Sequence, residues 1–127
     1  MPQLPYRELV AWQKGYALAI DSVRALEPLS HPRYRSYRDQ LSRSALSVPA
    51  NIAEGNGRGT QVDYASFVDR ARGSLFEVDT WLQAGHDLGY LSPDAYDQFA
   101  PRIQELNAIL FALRNSLHRK SQSQPRR

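Results

Sequence analysis

Cysteine is absent from the chain, which excludes disulfides and thiolate-held metals. No run of eighteen apolar residues occurs, so no segment suits a membrane-spanning helix. The opening residues, MPQLPYRELV, lack a basic stretch followed by an apolar one, and no secretory signal is expected. No segment sustains the alternation of a half-buried strand. The glycines of "GNGRG" have no strand pattern before them and no lysine after them, so they do not form a nucleotide-cradling loop. His31, His86 and His118 are too far apart in sequence to form a ligand pair on one helix. Acid pairs such as Asp63/Asp69 and Asp94/Asp97 read as solvated helix faces or caps, and no strained nucleophile turn is visible. The expectation is a cytoplasmic protein that is not an enzyme and needs neither metal nor cofactor.

Four stretches with helical periodicity remain. Leu9, Trp12, Tyr16, Ala19, Val23 and Leu26 form the first stripe. Tyr34, Tyr37, Leu41, Ala45, Val48 and Ile52 form the second, and Tyr64, Phe67, Ala71, Leu75, Val78, Leu82 and Gly85 the third. The fourth runs through Tyr96, Phe99, Ile103, Leu106, Leu110, Leu113 and Leu117. Spacings of three and four keep one face of each helix toward a partner.

The punctuation agrees with the stripes. "EPLSHP" separates the first pair, and Gly55, Gly57 and Gly59 close the second helix. Thr60 with Asp63 opens the third as a cap. Gly89 suits a left-handed helix end, and Ser92-Pro93-Asp94 reads as the next cap and first turn. Pro49 and Pro101 fall inside helical patterns and predict kinks in continuous helices. Short connections imply an all-α, up-down-up-down antiparallel four-helix bundle. Its domain covers residues 1–120, and 121–127 form a polar, basic, disordered tail.

Charge is unevenly placed. The net is +3, but residues 31–59 carry +3, residues 60–112 carry −5 and residues 113–127 carry +5. Fourteen of the sixteen basic residues are arginine, whose planar fork pairs with phosphate or carboxylate.

The stretches "LVAWQKG" (Leu9–Gly15), "LSRSALSVPANIAEGNGRGT" (Leu41–Thr60), "FVDRARGSLFEVDTWL" (Phe67–Leu82) and "LGYLS" (Leu88–Ser92) carry a resemblance. They resemble the four-helix-bundle family of rRNA intervening-sequence proteins, over roughly residues 6–118. That family includes the accessory variability determinant of diversity-generating retroelements. The resemblance implies a protomer that assembles into a ring-like homopentamer, and no catalytic activity. In the retroelement branch it implies a basic, nucleic-acid-binding surface working beside a reverse transcriptase.

Candidate phosphate contacts are Arg33, Arg35, Arg38, Arg43, Arg58, Arg119 and Lys120. Such contacts hold RNA or DNA without reading base sequence. The rival reading gives the same arginines to self-association or to acidic protein partners, because residues 60–112 are acidic. Structural or interface roles fall to eight further residues. Trp12 lies on the first stripe and is assigned to the core, and Trp81 to a subunit contact. Pro49 is the kink. Asn51 and Glu54 answer backbone groups that the kink frees, or pair with Arg58 or Arg72. Glu77 pairs with an arginine across an interface. Gly73, in mid-helix, is read as a close approach of two helices.

Overall fold

The computed structural model describes residues 4–123. Its long helices are α1 (Val10–Arg24), α2 (Arg35–Asn56), α3 (Gln61–Asp87) and α4 (Pro93–Ser123). Short 3-10 turns at Pro5–Glu8 and Pro32–Tyr34 lead into α1 and α2. There is no strand among the described residues.

Contacts between neighbours run in opposite chain directions. Ser44 donates to Glu77 at 2.9 Å, and the Ser47 and Ser74 hydroxyls meet at 2.9 Å. Asp69 faces Arg114 while Arg72 faces Asn107. On the remaining side, Lys14 pairs with Glu105 and Asp21 with Arg102. The helices therefore alternate up and down, and α4 returns against α1.

Local chemistry sets the ends. The Thr60 hydroxyl accepts from the Asp63 amide at 3.1 Å, and Ser92 accepts from Ala95 at 3.2 Å. Each satisfies one of the orphan donors at a helix start. Gly89 has φ +74°. The amides of Tyr90 and Gly89 close back onto the carbonyls of Gly85 and His86, the two bonds of a Schellman ending. Both α2 and α4 run unbroken through their prolines, Pro49 and Pro101.

The core is aliphatic: Leu41, Val48 and Ile52 on α2, Leu75 and Leu82 on α3, Leu106 and Leu110 on α4 are essentially sealed from solvent. Burying each such side chain contributes about 1.5–3 kcal/mol. The stripes of α2, α3 and α4 face inward as their spacing predicts.

α1 departs from its stripe. Its buried residues are Ala11, Gly15, Leu18, Ala19 and Ser22. Leu9, Trp12 and Val23 are only partly covered, and Tyr16 is exposed. The reason is distance. A Cβ on Gly15 would already stand 3.4 Å from Val48 and 3.5 Å from Ile52, so no large side chain fits at that position, while Leu18 fills the same face one turn on. The larger aromatics are displaced one position round the helix, onto its shoulder.

Three further expectations change. Gly55 belongs to the last turn of α2 and is buried, because a Cβ there would lie 2.7 Å from Phe67 Cβ. It serves close packing rather than a turn. Gly73 is the reverse case: it is exposed, with nothing within 4 Å of an added Cβ, so it marks no close helix approach. Finally, α4 continues to Ser123, past the boundary placed at residue 120, and residues 124–127 of the expected tail lie outside the described residues.

Candidate nucleic-acid interface

Six of the seven candidate cations fall at two ends of the bundle, and Arg43 lies along α2 between them. Arg33 and Arg35 stand at the start of α2, Arg38 one turn along it, and Arg43 a further turn or more in. Arg58 follows the far end of α2, after 22 residues of helix, or about 33 Å of rise. Arg119 and Lys120 occupy the final turns of α4. In an antiparallel bundle that end of α4 lies level with the α2–α3 turn. Arg58, Arg119 and Lys120 are thus brought to one end, and Arg33, Arg35 and Arg38 to the other.

At the α2-start end, Arg38 donates to the Leu29 carbonyl at 2.7 Å, so its guanidinium ties down the loop. The Arg33 guanidinium lies over the Tyr34 ring, 4.6 Å from its centre. His31 accepts the Arg33 amide through Nδ1 at 3.1 Å, capping the 3-10 turn. An open pocket of about 280 Å³ is lined by Ser30, His31, Pro32, Arg35, Arg38 and Asp39.

At the other end, Arg58 pairs with Glu54 at 3.1 Å one helical turn back, and its guanidinium covers the Phe67 ring at 4.8 Å. Both groups are exposed, and such pairs contribute roughly 0–1 kcal/mol. The pair therefore yields to a phosphate at little cost. Arg7 joins this end through the 3-10 turn before α1 and lies over both Tyr6 and Trp12. It is not among the cations expected from charge clustering. Its signal in the sequence is the Tyr-Arg pair followed five residues on by Trp12.

The residues expected to be structural take varied positions. Trp12 is half-buried, stacked on Tyr16 at 5.0 Å and edge-on to Tyr6 at 5.2 Å. It borders the core instead of filling it. Asn51 donates to the Ser47 carbonyl and hydroxyl, each at 2.8 Å. The carbonyl that Pro49 releases is that of Ala45, so Asn51 does not answer it. Glu54 takes Arg58, one of its two expected pairings.

Glu77 accepts from Ser44 within the chain. Arg72 donates to Asn107 at 3.3 Å, stands 3.7 Å from Asp69, and lies over Phe76 and Phe111 at 5.6 and 5.0 Å. Trp81 is half-buried against the core; its carbonyl accepts from Tyr37, while its indole Nε1 is buried without a partner among the described residues.

Titration is perturbed at Tyr37, Asp87 and Tyr96. Burial pushes the Tyr37 hydroxyl up to about 12, opposed by the Gly85 backbone. Hydrogen bonds from His86 and Gln83 hold Asp87 below the ordinary carboxylate value. Tyr96 is raised, by burial first and then by the nearby carboxylates of Asp79, Asp87 and Asp97. Among the described residues no group of three or more His, Asp or Glu could hold a metal ion, and no helix is long and apolar enough to cross a membrane. The arrangement offers guanidinium forks and aromatic faces, which is the chemistry of phosphate and base contact.

The family model for the 23S rRNA-intervening sequence protein matches residues 7–112. Among solved structures, a protein of unknown function from the S23 ribosomal protein family of Bacteroides thetaiotaomicron is similar, with a TM-score of 0.72 and 21% sequence identity. The match covers 82% of this chain and 97% of that one, and it speaks for the fold alone. No curated protein matches the sequence.

Proposed function

The chain belongs to the 23S rRNA-intervening sequence protein family, and we propose that it acts as a non-catalytic, cytoplasmic scaffold that binds RNA or DNA by the phosphate backbone. One observation carries this reading. Arg7, Arg58, Arg119 and Lys120 come from three distant parts of the sequence, and the fold delivers them to one end of the bundle. Assembly into a ring of subunits, pentameric by the resemblance described above, would repeat that end around one axis. Each added cation increases counterion release and so the affinity.

Binding of this kind is insensitive to base sequence. A place beside a reverse transcriptase is part of the same proposal and rests on the resemblance to the retroelement branch. Titration of labelled single-stranded RNA at several salt concentrations tests the core claim. Affinity should fall steeply with salt and barely change with sequence. Absence of binding at low salt overturns it.

A second reading has its own support. Arg58 and Arg114 already meet carboxylates in this structure, at Glu54 and Asp69. On that reading the arginines serve protein contacts, between copies or with an acidic partner. Arg58→Glu with Arg119→Glu separates the two: loss of oligomer with retained RNA binding favours protein contacts.

A further inference from the structure

A polar stripe runs along α2 and into the turn after it, with the same spacing as the apolar ones: Ser44, Ser47, Asn51, Glu54 and Arg58. Its counterpart on α3 is Arg70, Gly73, Ser74 and Glu77, whose spacing also keeps one face. The two stripes meet, because Ser44 donates to Glu77 and the Ser47 and Ser74 hydroxyls touch. Stepping from those contacts along the antiparallel pair sets Asn51 level with Arg70 and Glu54 level with Phe67. The α2–α3 seam is therefore lined by hydroxyls, an amide and charges.

Packing of the chain on itself does not account for three parts of this seam. The guanidiniums of Arg58 and Arg70 both lie over the Phe67 ring, 4.8 and 4.6 Å from its centre. They are thus within about 10 Å of one another, a Debye length at 0.1 M salt, and their repulsion is felt. Arg58 meets only the exposed carboxylate of Glu54, and Arg70 forms no ion pair among the described residues. Glu77, exposed two turns along α3 from Arg70, forms none either. Between them Gly73 is exposed, with nothing within 4 Å of an added Cβ. Glycine there weakens α3 and leaves its backbone bare.

Paired cations, an open gap and a carboxylate fit one chemistry. Two guanidinium forks take a phosphate. An ionised carboxylate only accepts hydrogen bonds, so it repels a second phosphate and takes hydroxyl donors, as acidic residues take the ribose hydroxyl in dinucleotide sites. The helix rises about 10 Å from Arg70 to Glu77, the reach of one ribose 5′-phosphate with a hydrogen bond at each end. We propose that the seam binds a ribonucleoside 5′-phosphate with a free 2′,3′-diol. The phosphate lies between Arg58 and Arg70, the ribose passes over Gly73, and the diol donates to Glu77. Such a unit is the last residue of an RNA 3′ end or a free ribonucleotide. An internal RNA residue does not fit, because its 3′-phosphate would face Glu77. This deepens the phosphate-binding reading at the Arg58 end, on which it rests for the RNA case.

Short RNAs of one sequence, labelled at the 5′ end, test it by fluorescence anisotropy. They end in a 2′,3′-diol, a 3′-phosphate or a 2′,3′-dideoxy sugar. Calorimetry with adenosine 5′-monophosphate and its 2′,3′-dideoxy analogue covers the free nucleotide. The diol ligand should bind at least about tenfold more tightly, the worth of a hydrogen bond to a charged group. Glu77→Gln, which still accepts from Ser44, should erase that difference. Arg70→Gln and Gly73→Leu should weaken the diol ligand. All three positions are exposed, and circular dichroism checks that the helices persist.

A diol effect on the oligonucleotides assigns the seam to RNA ends; one confined to the mononucleotide assigns it to free ribonucleotides. Equal binding of all three RNAs, with no diol effect on the mononucleotide, overturns the seam and leaves the phosphate-backbone reading standing. A diol effect that Glu77→Gln leaves unchanged also overturns it, since the sugar then sits elsewhere. RNA that fails to bind at low salt, while the mononucleotide binds with its diol effect, overturns the backbone reading and keeps the seam.

Discussion

The Tyr37 hydroxyl donates to the Trp81 carbonyl at 2.6 Å, joining α2 to α3 through the backbone of the facing helix. Burial raises the Tyr37 pKa from 10.0 to about 12. The folded state therefore holds this proton more tightly than the unfolded chain. The stability it contributes is complete below about pH 10 and declines as pH rises toward 12. Urea unfolding across that range should show a decline for the wild type that is reduced in Tyr37→Phe. At neutral pH, Tyr37→Phe should cost about 0.5–1.5 kcal/mol, the worth of one hydrogen bond. Identical alkaline profiles for the two proteins would contradict the assignment.

Gly85 sits under the same hydroxyl. An added Cβ would collide with the Tyr37 hydroxyl and come within 2.9 Å of Leu91. Gly85→Ala should therefore destabilise by about 1–3 kcal/mol, as overpacking does, despite alanine's better helix propensity. Thermal melts of the variant measure it. A raised melting temperature would show that α2 and α3 separate freely at this point.

Gly73 should behave in the opposite way. It lies exposed inside α3, and an added Cβ meets nothing within 4 Å. Gly73→Ala should stabilise the fold by about 0.5–1 kcal/mol, because glycine in a helix loses more entropy on folding. Denaturation by urea at the protein concentration used for the wild type reads the gain.

Three of the four helix faces are legible in the sequence because their core positions hold large aliphatics with few competing large side chains. In α1 two faces compete. The Trp12–Tyr16 stripe holds the bulky residues, whereas the Ala11–Gly15–Ser22 face holds small ones. Packing chooses the face with Gly15, since α1 approaches Val48 and Ile52 too closely there for a large side chain, and Leu18 completes the burial one turn on. Periodicity counts apolar residues but does not record the distance between helices. The same limit explains Gly55 and Gly73, which look alike in sequence and differ only in what a neighbouring helix brings near. For the cations, the sequence shows a segregated charge but not which segments meet. The length of α2 separates Arg33 from Arg58, and the alternating direction of the helices brings Arg58 to the level of Arg119.

The two cationic ends make a final, separable prediction. Arg7, Arg58, Arg119 and Lys120 lie at one end, and Arg33, Arg35 and Arg38 at the other. Arg38 is engaged with the Leu29 carbonyl, so its removal should cost stability as well as charge. If the Arg58 end carries nucleic acid, Arg58→Gln with Arg119→Gln should weaken RNA binding uniformly across sequences. The slope of log affinity against log salt should fall by about one for each phosphate no longer neutralised. Arg33→Gln with Arg35→Gln should leave both affinity and slope near those of the wild type. The reverse pattern would move the interface to the α2-start end, and equal weakening from both pairs would mean that one strand runs along the whole length of the bundle.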